Sequence, residues 1–288
     1  MSLPDQKDEH VIEAMGRCRI VIRNGRVVDV GESQISGCPL AKRFAYPVPE
    51  IEKEVVKANI EHRIKTFGMC TPDRQVLNNR EFVGFGASEL LSFGLSTGTI
   101  DAAVLACDGA GTVIVTKPEM AQGVGGRMSG LLRTTPYQSV MDRIEQGGGI
   151  VLDRSRARID QAGGVALAKQ SGYNDIAVTI ATPGDAEIIR GTYPDAMIFA
   201  VHVTGLSPKE ADRLTNSADL ITGCASKHIR EIAGSRALLQ AGITVPVFAI
   251  TQRGKEIILE KIRNTNEQVL IKPTKLPSLG AEQPHPLD

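Results

Sequence analysis

The chain has five cysteines, at positions 18, 38, 70, 107 and 224, and these are its best candidates for chemistry. An odd number at irregular spacing describes thiols in a reducing compartment, not a disulfide scaffold. Cys38 precedes Pro39 and a short helical-looking stretch, Leu40 to Phe44. Cys70 precedes Thr71-Pro72-Asp73-Arg74, which reads as an N-cap with Pro at the first helical position. Cys224 lies two residues before another cap, Ser226. A thiolate at a helix start is stabilised by free N–H groups and the helix dipole. Thiolates ligate soft metals and attack electrophiles. Cys38, Cys70, Cys107 and Cys224 are therefore candidate ligands of one four-thiolate site, holding zinc or an iron–sulfur cluster. No C-x-x-C is present, so this expectation rests on placement and not on spacing. The plainer alternative is that each cysteine is a small buried hydrophobe, and Cys18, inside a strand run, is read that way.

The elements that would position these thiols are legible in outline. Asn24-Gly25 between two β-branched runs is a hairpin signal, because both residues tolerate positive φ. Ile51, Val55, Val56, Ile60 and Ile64 recur at helical spacing, which predicts a helix over 49–66. From about residue 100, apolar runs at 102–107, 112–116, 150–152, 176–181, 196–203, 220–222 and 245–250 alternate with helical segments. Thr135-Pro136, Thr182-Pro183, Ser207-Pro208 and Ser226 read as helix starts. The predicted class is α/β: a mostly parallel open sheet with flanking helices, plus a smaller N-terminal hairpin-and-helix region. The expected division is 1–97 for that region, 98–271 for the α/β domain, and 272–288 for a mobile tail carrying Pro273, Pro277, Pro284 and Pro286.

Ligands of open α/β sheets bind outside the carboxyl ends of the strands. On that reasoning Cys107-Asp108, His202, Thr204, Cys224-Ala225-Ser226 and Thr251-Gln252-Arg253 should share one rim. Gly125, Gly126, Arg127 and Ser129 offer the parts of an anion nest, which Ser226, Thr251 and Arg253 would extend. A turn-forming surface loop is the alternative. Asp108, His202 and His228 are further candidates. His10 and His285 lie in terminal segments and are expected to be solvated. Gly94-Leu95-Ser96-Thr97-Gly98 matches a nucleophile-elbow string, but a helical segment precedes it and a strand follows, which is the reverse of what an elbow needs.

Composition narrows the partners. Lys+Arg and Asp+Glu both number 33 in 288 residues, so no net field draws nucleic acid or an anionic membrane. There is no Trp, aromatics are 4%, and no apolar run reaches bilayer length. A cytoplasmic protein binding neither nucleic acid nor membrane is expected.

The strings Cys38-Pro39-Leu40-Ala41, Gly68-Met69-Cys70-Thr71-Pro72-Asp73-Arg74-Gln75, Ala106-Cys107-Asp108-Gly109-Ala110-Gly111-Thr112, Gly223-Cys224-Ala225-Ser226-Lys227 and Thr251-Gln252-Arg253-Gly254-Lys255 resemble the methanogenesis marker protein 8 family over about 10–263. The resemblance implies context: an anaerobic archaeal cytoplasm, a link to methane formation, and other methanogenesis proteins as partners. It carries over no catalytic residue. Three readings stand at this point. One is a methanogenesis accessory protein or enzyme with a cysteine-ligated metal or iron–sulfur centre. Another is a metal-free enzyme binding a small anionic molecule or cofactor. The third is a non-catalytic assembly factor.

Overall fold

The computed structural model describes residues 8–128 and 130–288. The chain opens with β1 (Glu9–Glu13), β2 (Arg19–Arg23) and β3 (Arg26–Val30), then α1 (Lys53–Phe67) and α2 (Ala87–Thr97). Next come β4 (Ala102–Cys107), β5 (Gly111–Val115), α3 (Pro118–Gly125), β6 (Gly130–Arg133), α4 (Gln138–Gln146) and β7 (Ile150–Val151). Helices and strands then alternate through α5 (Gln161–Gln170), β8 (Ile176–Ile180), α6 (Pro183–Thr192), β9 (Met197–Ala200), α7 (Pro208–Ser217), β10 (Leu220–Thr222) and α8 (Lys227–Arg236). The last elements are β11 (Leu239–Ala241), β12 (Val247–Ala249) and α9 (Gln252–Asn264).

The apolar runs build one eight-stranded sheet in the order β11-β12-β10-β9-β8-β4-β5-β7. Its central strands β4, β8, β9 and β10 are parallel, joined from β8 onward by α6 and α7. Both margins are antiparallel: β5 and β7 on one side, β12 and β11 on the other. Burial on both faces explains the near-continuous Val/Ile/Ala runs. Ala103 and Leu105 pack with Leu90, Met120 and Ile257 from α2, α3 and α9. Ala102 and Val104 pack on the opposite face with Val165, Ile189, Leu214 and Ile229 from α5 to α8. Ser207 and Glu210 form the capping box that their spacing announces, and Thr182 and Ser226 cap α6 and α8.

Several expectations are corrected. Strand β12 runs antiparallel to β10, so its carboxyl end lies beside the start of β10. Thr251 Oγ1 there donates to Asp219 Oδ1 at 2.7 Å. Thr251 and Arg253 are thus on the opposite edge from Cys224, and play no part in the rim site assigned to them. Thr71 does not cap a helix: its hydroxyl donates to Gly68 O at 2.8 Å and accepts from Asp73 N at 3.2 Å, closing a turn. Helix α4 is entered from Tyr137, not from Thr135.

Strands β3, β2, β1 and β6 form a second, four-stranded antiparallel sheet, with Asn24 and Gly25 at φ 48 and 67 in the β2–β3 hairpin. Its last strand comes from residues 130–133, so the N-terminal region is completed by a segment from beyond residue 97. The segment expected to be a mobile tail lies against the body. Gly37 and His285 form a β-bridge, Asp288 N donates to Ala225 O at 2.9 Å, and Pro284 is buried. Short backbone pairing supplies what this Pro-rich stretch lacks in apolar area.

Candidate functional site

The carboxyl ends of β4, β8, β9 and β10 open into a cleft of about 660 Å³. Leu105, Thr179, His202, Thr222 and Cys224 border it from the large sheet. The N-terminal region forms the roof, through Met15, Ile35, Cys38 and Phe44. Leu131 of β6 and the 83–86 loop complete the wall. Most of these groups are apolar, and the volume suits a small organic ligand. The strand rim is thus the ligand-sized space that the topology of an open α/β sheet leads one to expect.

Two of the candidate thiols, Cys38 and Cys224, border this cleft and are half-buried. Cys224 adopts φ 41, a conformation that ordinary side chains rarely take. Arg230 of α8 holds it there: Nε donates to Cys224 O at 3.1 Å, Nη2 to the same oxygen and to Thr244 O, and Nη1 to Gln283 Oε1. Arg230 is 2% exposed and has no carboxylate partner among the described residues. Burial pulls its pKa down, while the Cys224 and Cys38 sulfurs act in the other direction. Burial pushes the Cys38 thiol up; the backbone N–H groups of Ala41 and Leu40 and the charge of Arg230 partly offset this.

His202 follows β9 in a left-handed conformation, φ 58, and its ring packs over Gly130, where a Cβ would come within 2.8 Å of Nε2. Its Nε2 lies 2.6 Å from Glu13 Oε2, and Arg17 Nε donates to the same carboxylate oxygen at 3.2 Å. Burial alone would raise the Glu13 carboxyl. The hydrogen bond and charge of His202, with Arg17, outweigh it and leave Glu13 below its ordinary value. A carboxylate that fixes one ring nitrogen of a histidine in a cleft wall is the arrangement of an oriented acid–base group.

Cys70 and Cys107 occupy a different environment. Both are buried beside an ion pair with no solvent contact on either partner, Arg74 Nε to Asp108 Oδ1 at 2.8 Å. Asp108 Oδ2 accepts from Cys70 N at 2.6 Å, and Arg74 Nη2 reaches Gly123 O at 3.1 Å. Burial pushes Cys107 up to about 12, with the Asp108 charge adding to it, and pushes Cys70 well above its usual range for the same reasons. Among the described residues, no group of three or more His, Cys, Asp or Glu side chains is placed to hold a metal ion. The structure brings the candidate thiols together two by two: Cys38 with Cys224 at the cleft, Cys70 with Cys107 at the ion pair.

The remaining candidates fall as follows. Gly125 borders the cleft as the last residue of α3, so the segment before Gly126 is a helix and not an open nest. Arg127 turns away to lie 4.6 Å from the Phe67 ring and donates to Gln75 O at 3.3 Å. Ser129 lies outside the described residues. Ser226 is buried, its hydroxyl used by Ile229 N. His228 lies 3.5 Å from Glu231 on the solvent side of α8. Arg133 pairs with Glu9.

A family-level profile described as "Uncharacterized protein conserved in archaea (DUF2099)" matches residues 10–263. The chain belongs to the DUF2099 family. A relative from Methanocaldococcus jannaschii, described as "Uncharacterized protein MJ0054", is 42% identical to it over 283 residues, covering 97% of this chain and 99% of that one.

Sequence reasoning missed Glu13, Arg74 and Arg230 in this DUF2099 protein. Each acts through a partner roughly 34 to 189 positions away or through a carbonyl. His10, expected to be solvated, is fully buried, with Nδ1 at 2.7 Å from Thr134 Oγ1 and Nε2 at 3.0 Å from Tyr137 Oη. Only its strand neighbours, Val11 and Ile12, signalled that position 10 belongs to an element. The His10 pKa is lowered, by burial above all. Among the described residues, no helix is long and apolar enough to cross a membrane.

Proposed function

We propose that the protein is an enzyme acting on a small organic molecule bound in the rim cleft, with His202 as the proton-transferring group. The observation that carries this reading is the Glu13–His202 contact of 2.6 Å in the cleft wall, at a strained backbone position. Strain of this kind persists where the surroundings over-determine it, and it gathers at functional sites. The cleft volume supports a ligand of cofactor or metabolite size. The methanogen relative and the resemblance noted above support a role in methane-forming archaea. Elemental analysis and an absorption spectrum of anaerobically purified protein decide whether a cysteine-ligated metal or iron–sulfur centre accompanies this chemistry.

The test begins with native mass spectrometry of the anaerobically purified protein, to read small molecules that co-purify. A panel of small carboxylates, phosphates and thiols is then scored by melting temperature. Ligand at a hundred times its Kd adds about 2.7 kcal/mol of stability. The expected result is a ligand whose shift survives in His202→Gln, whose proton-transfer step is lost. A ligand whose shift is untouched by bulky substitution at Leu131 or Thr222 would place binding elsewhere and sink the reading.

A further inference from the structure

We propose that Cys38 and Cys224 are a redox-active dithiol that exchanges with small organic disulfides in the rim cleft, with Arg230 supporting the attacking thiolate. The inference rests on the cleft as the ligand site but is independent of His202.

Three observations meet here. Both thiols border one cleft, while the other three cysteines are fully buried away from it. The segments carrying them are tied together by one strap: His285 bridges Gly37, and Asp288, three residues on, bonds both Ala225 and Lys227. Three extended residues span roughly 10 Å at most. Behind them sits a buried guanidinium that only carbonyls and an amide satisfy. A buried cation without an anion is costly. The groups near it that can become anionic are the two thiols, which act on it electrostatically. A cation beside a thiol raises the fraction present as thiolate, the attacking form in disulfide exchange. A bound metal cation is less favoured at this place, because Arg230 repels it and, among the described residues, no third His, Cys, Asp or Glu ligand is at hand.

The chemistry balances with a small organic disulfide, RSSR, as the oxidant. The Cys224 thiolate forms a bond to one sulfur of RSSR; the S–S bond of RSSR breaks, and RS⁻ leaves with the proton that Cys224 gave up. The Cys38 thiolate then attacks Cys224 Sγ in the mixed disulfide, and the second RSH leaves with the Cys38 proton. RSSR is reduced to two RSH, and the protein is oxidised to the Cys38–Cys224 disulfide. Cys224 is assigned the first attack because Arg230 bonds its own carbonyl.

The experiment uses the full chain, reduced under anoxia, and 2-hydroxyethyl disulfide as the probe. After quenching with an alkylating agent, peptide mapping should find Cys38 joined to Cys224, with Cys18, Cys70 and Cys107 still as free thiols. Cys38→Ser should stop at one stable mixed disulfide on Cys224. Arg230→Lys keeps the charge if Arg230→Met fails to fold, and should retain most of the rate. A folded Arg230→Met should react more slowly at pH 7, by about tenfold or more, because the attacking thiolate loses its neighbouring cation. Two separate mixed disulfides with no cross-link would overturn the dithiol. Reaction first at Cys70 or Cys107 would overturn the site. If the cross-link fails while cleft ligands still raise the melting temperature, the dithiol falls and the cleft reading stands. Loss of both would condemn the cleft itself.

Discussion

Two arginines in this protein are buried next to cysteines, and they differ in what answers their charge. Arg74 meets Asp108 at 2.8 Å with neither side chain touching solvent, and the carboxylate is further satisfied by Cys70 N. The neighbouring thiols see a neutralised pair plus a dry environment, and both are pushed up. Arg230 meets carbonyl oxygens and one amide, so its charge is solvated by dipoles and not neutralised. The thiols near it border a cleft. A guanidinium beside a cysteine therefore predicts reactivity only when no carboxylate has already claimed it. The first arrangement is a rivet between the 68–75 loop and the β4–β5 hairpin. The second leaves room for chemistry.

The strongest way to break this contrast is Asp108→Asn. It should leave Arg74 buried and uncompensated, at a cost of about 3–5 kcal/mol, read as a lower urea midpoint. A loss below about 1 kcal/mol would show that Arg74 escapes to water and that the two sites are alike. The next effect is alkaline. The folded-state value of Cys107, about 12, lies above the ordinary 9.0, so its neutral form favours the folded state. That contribution is whole below pH 9 and is lost as pH rises from 9 to 12. Cys107→Ala should flatten the fall of stability over that window, whereas Cys38→Ala should change it less. Equal slopes in the two variants would erase the distinction. The smallest effect concerns the strap. Removing residues 286–288 deletes the two backbone bonds of Asp288, to Ala225 and Lys227. Hydrogen bonds of this kind are worth about 1 kcal/mol each, so melting should fall by only a few degrees, at about 2–4 °C per kcal/mol. Alkylation of Cys38 and Cys224 should nonetheless speed up relative to Cys70. Unchanged labelling would mean that the strap does not hold the cleft thiols.

Several local signals in the sequence hold in the structure. Asn24-Gly25 made its hairpin, Ser207 and Glu210 made their capping box, and the apolar runs became strands. Each of these depends on residues within a turn or a strand length. The direction of β12 is not legible in the sequence, because the crossover helix α8 leads to β11 and a short β11–β12 hairpin then reverses the chain. Thr71-Pro72 carries the composition of a helix start, yet Thr71 bonds back to Gly68, and the Arg74–Asp108 pair fixes the loop instead. For the site, the rim position of Cys224 and His202 followed from strand ends. That four cysteines divide into two environments did not. It depends on which arginine meets a carboxylate, and those partners are set by tertiary contacts that no spacing records.

Strand β1 has one neighbour a few residues away, β2, and another, β6, more than a hundred residues on. Glu9 N reaches Thr135 Oγ1 at 2.9 Å and His10 reaches Thr134, fastening the same seam. Pairings of such high sequence separation are slow to form, because a long loop must close before they are rewarded. A fragment ending near residue 97 would display β1 as an unpaired edge, open to pairing with another copy. During synthesis the roof of the cleft therefore stays incomplete until β6 has emerged. Expression of the N-terminal region alone should yield aggregate in place of a small folded domain.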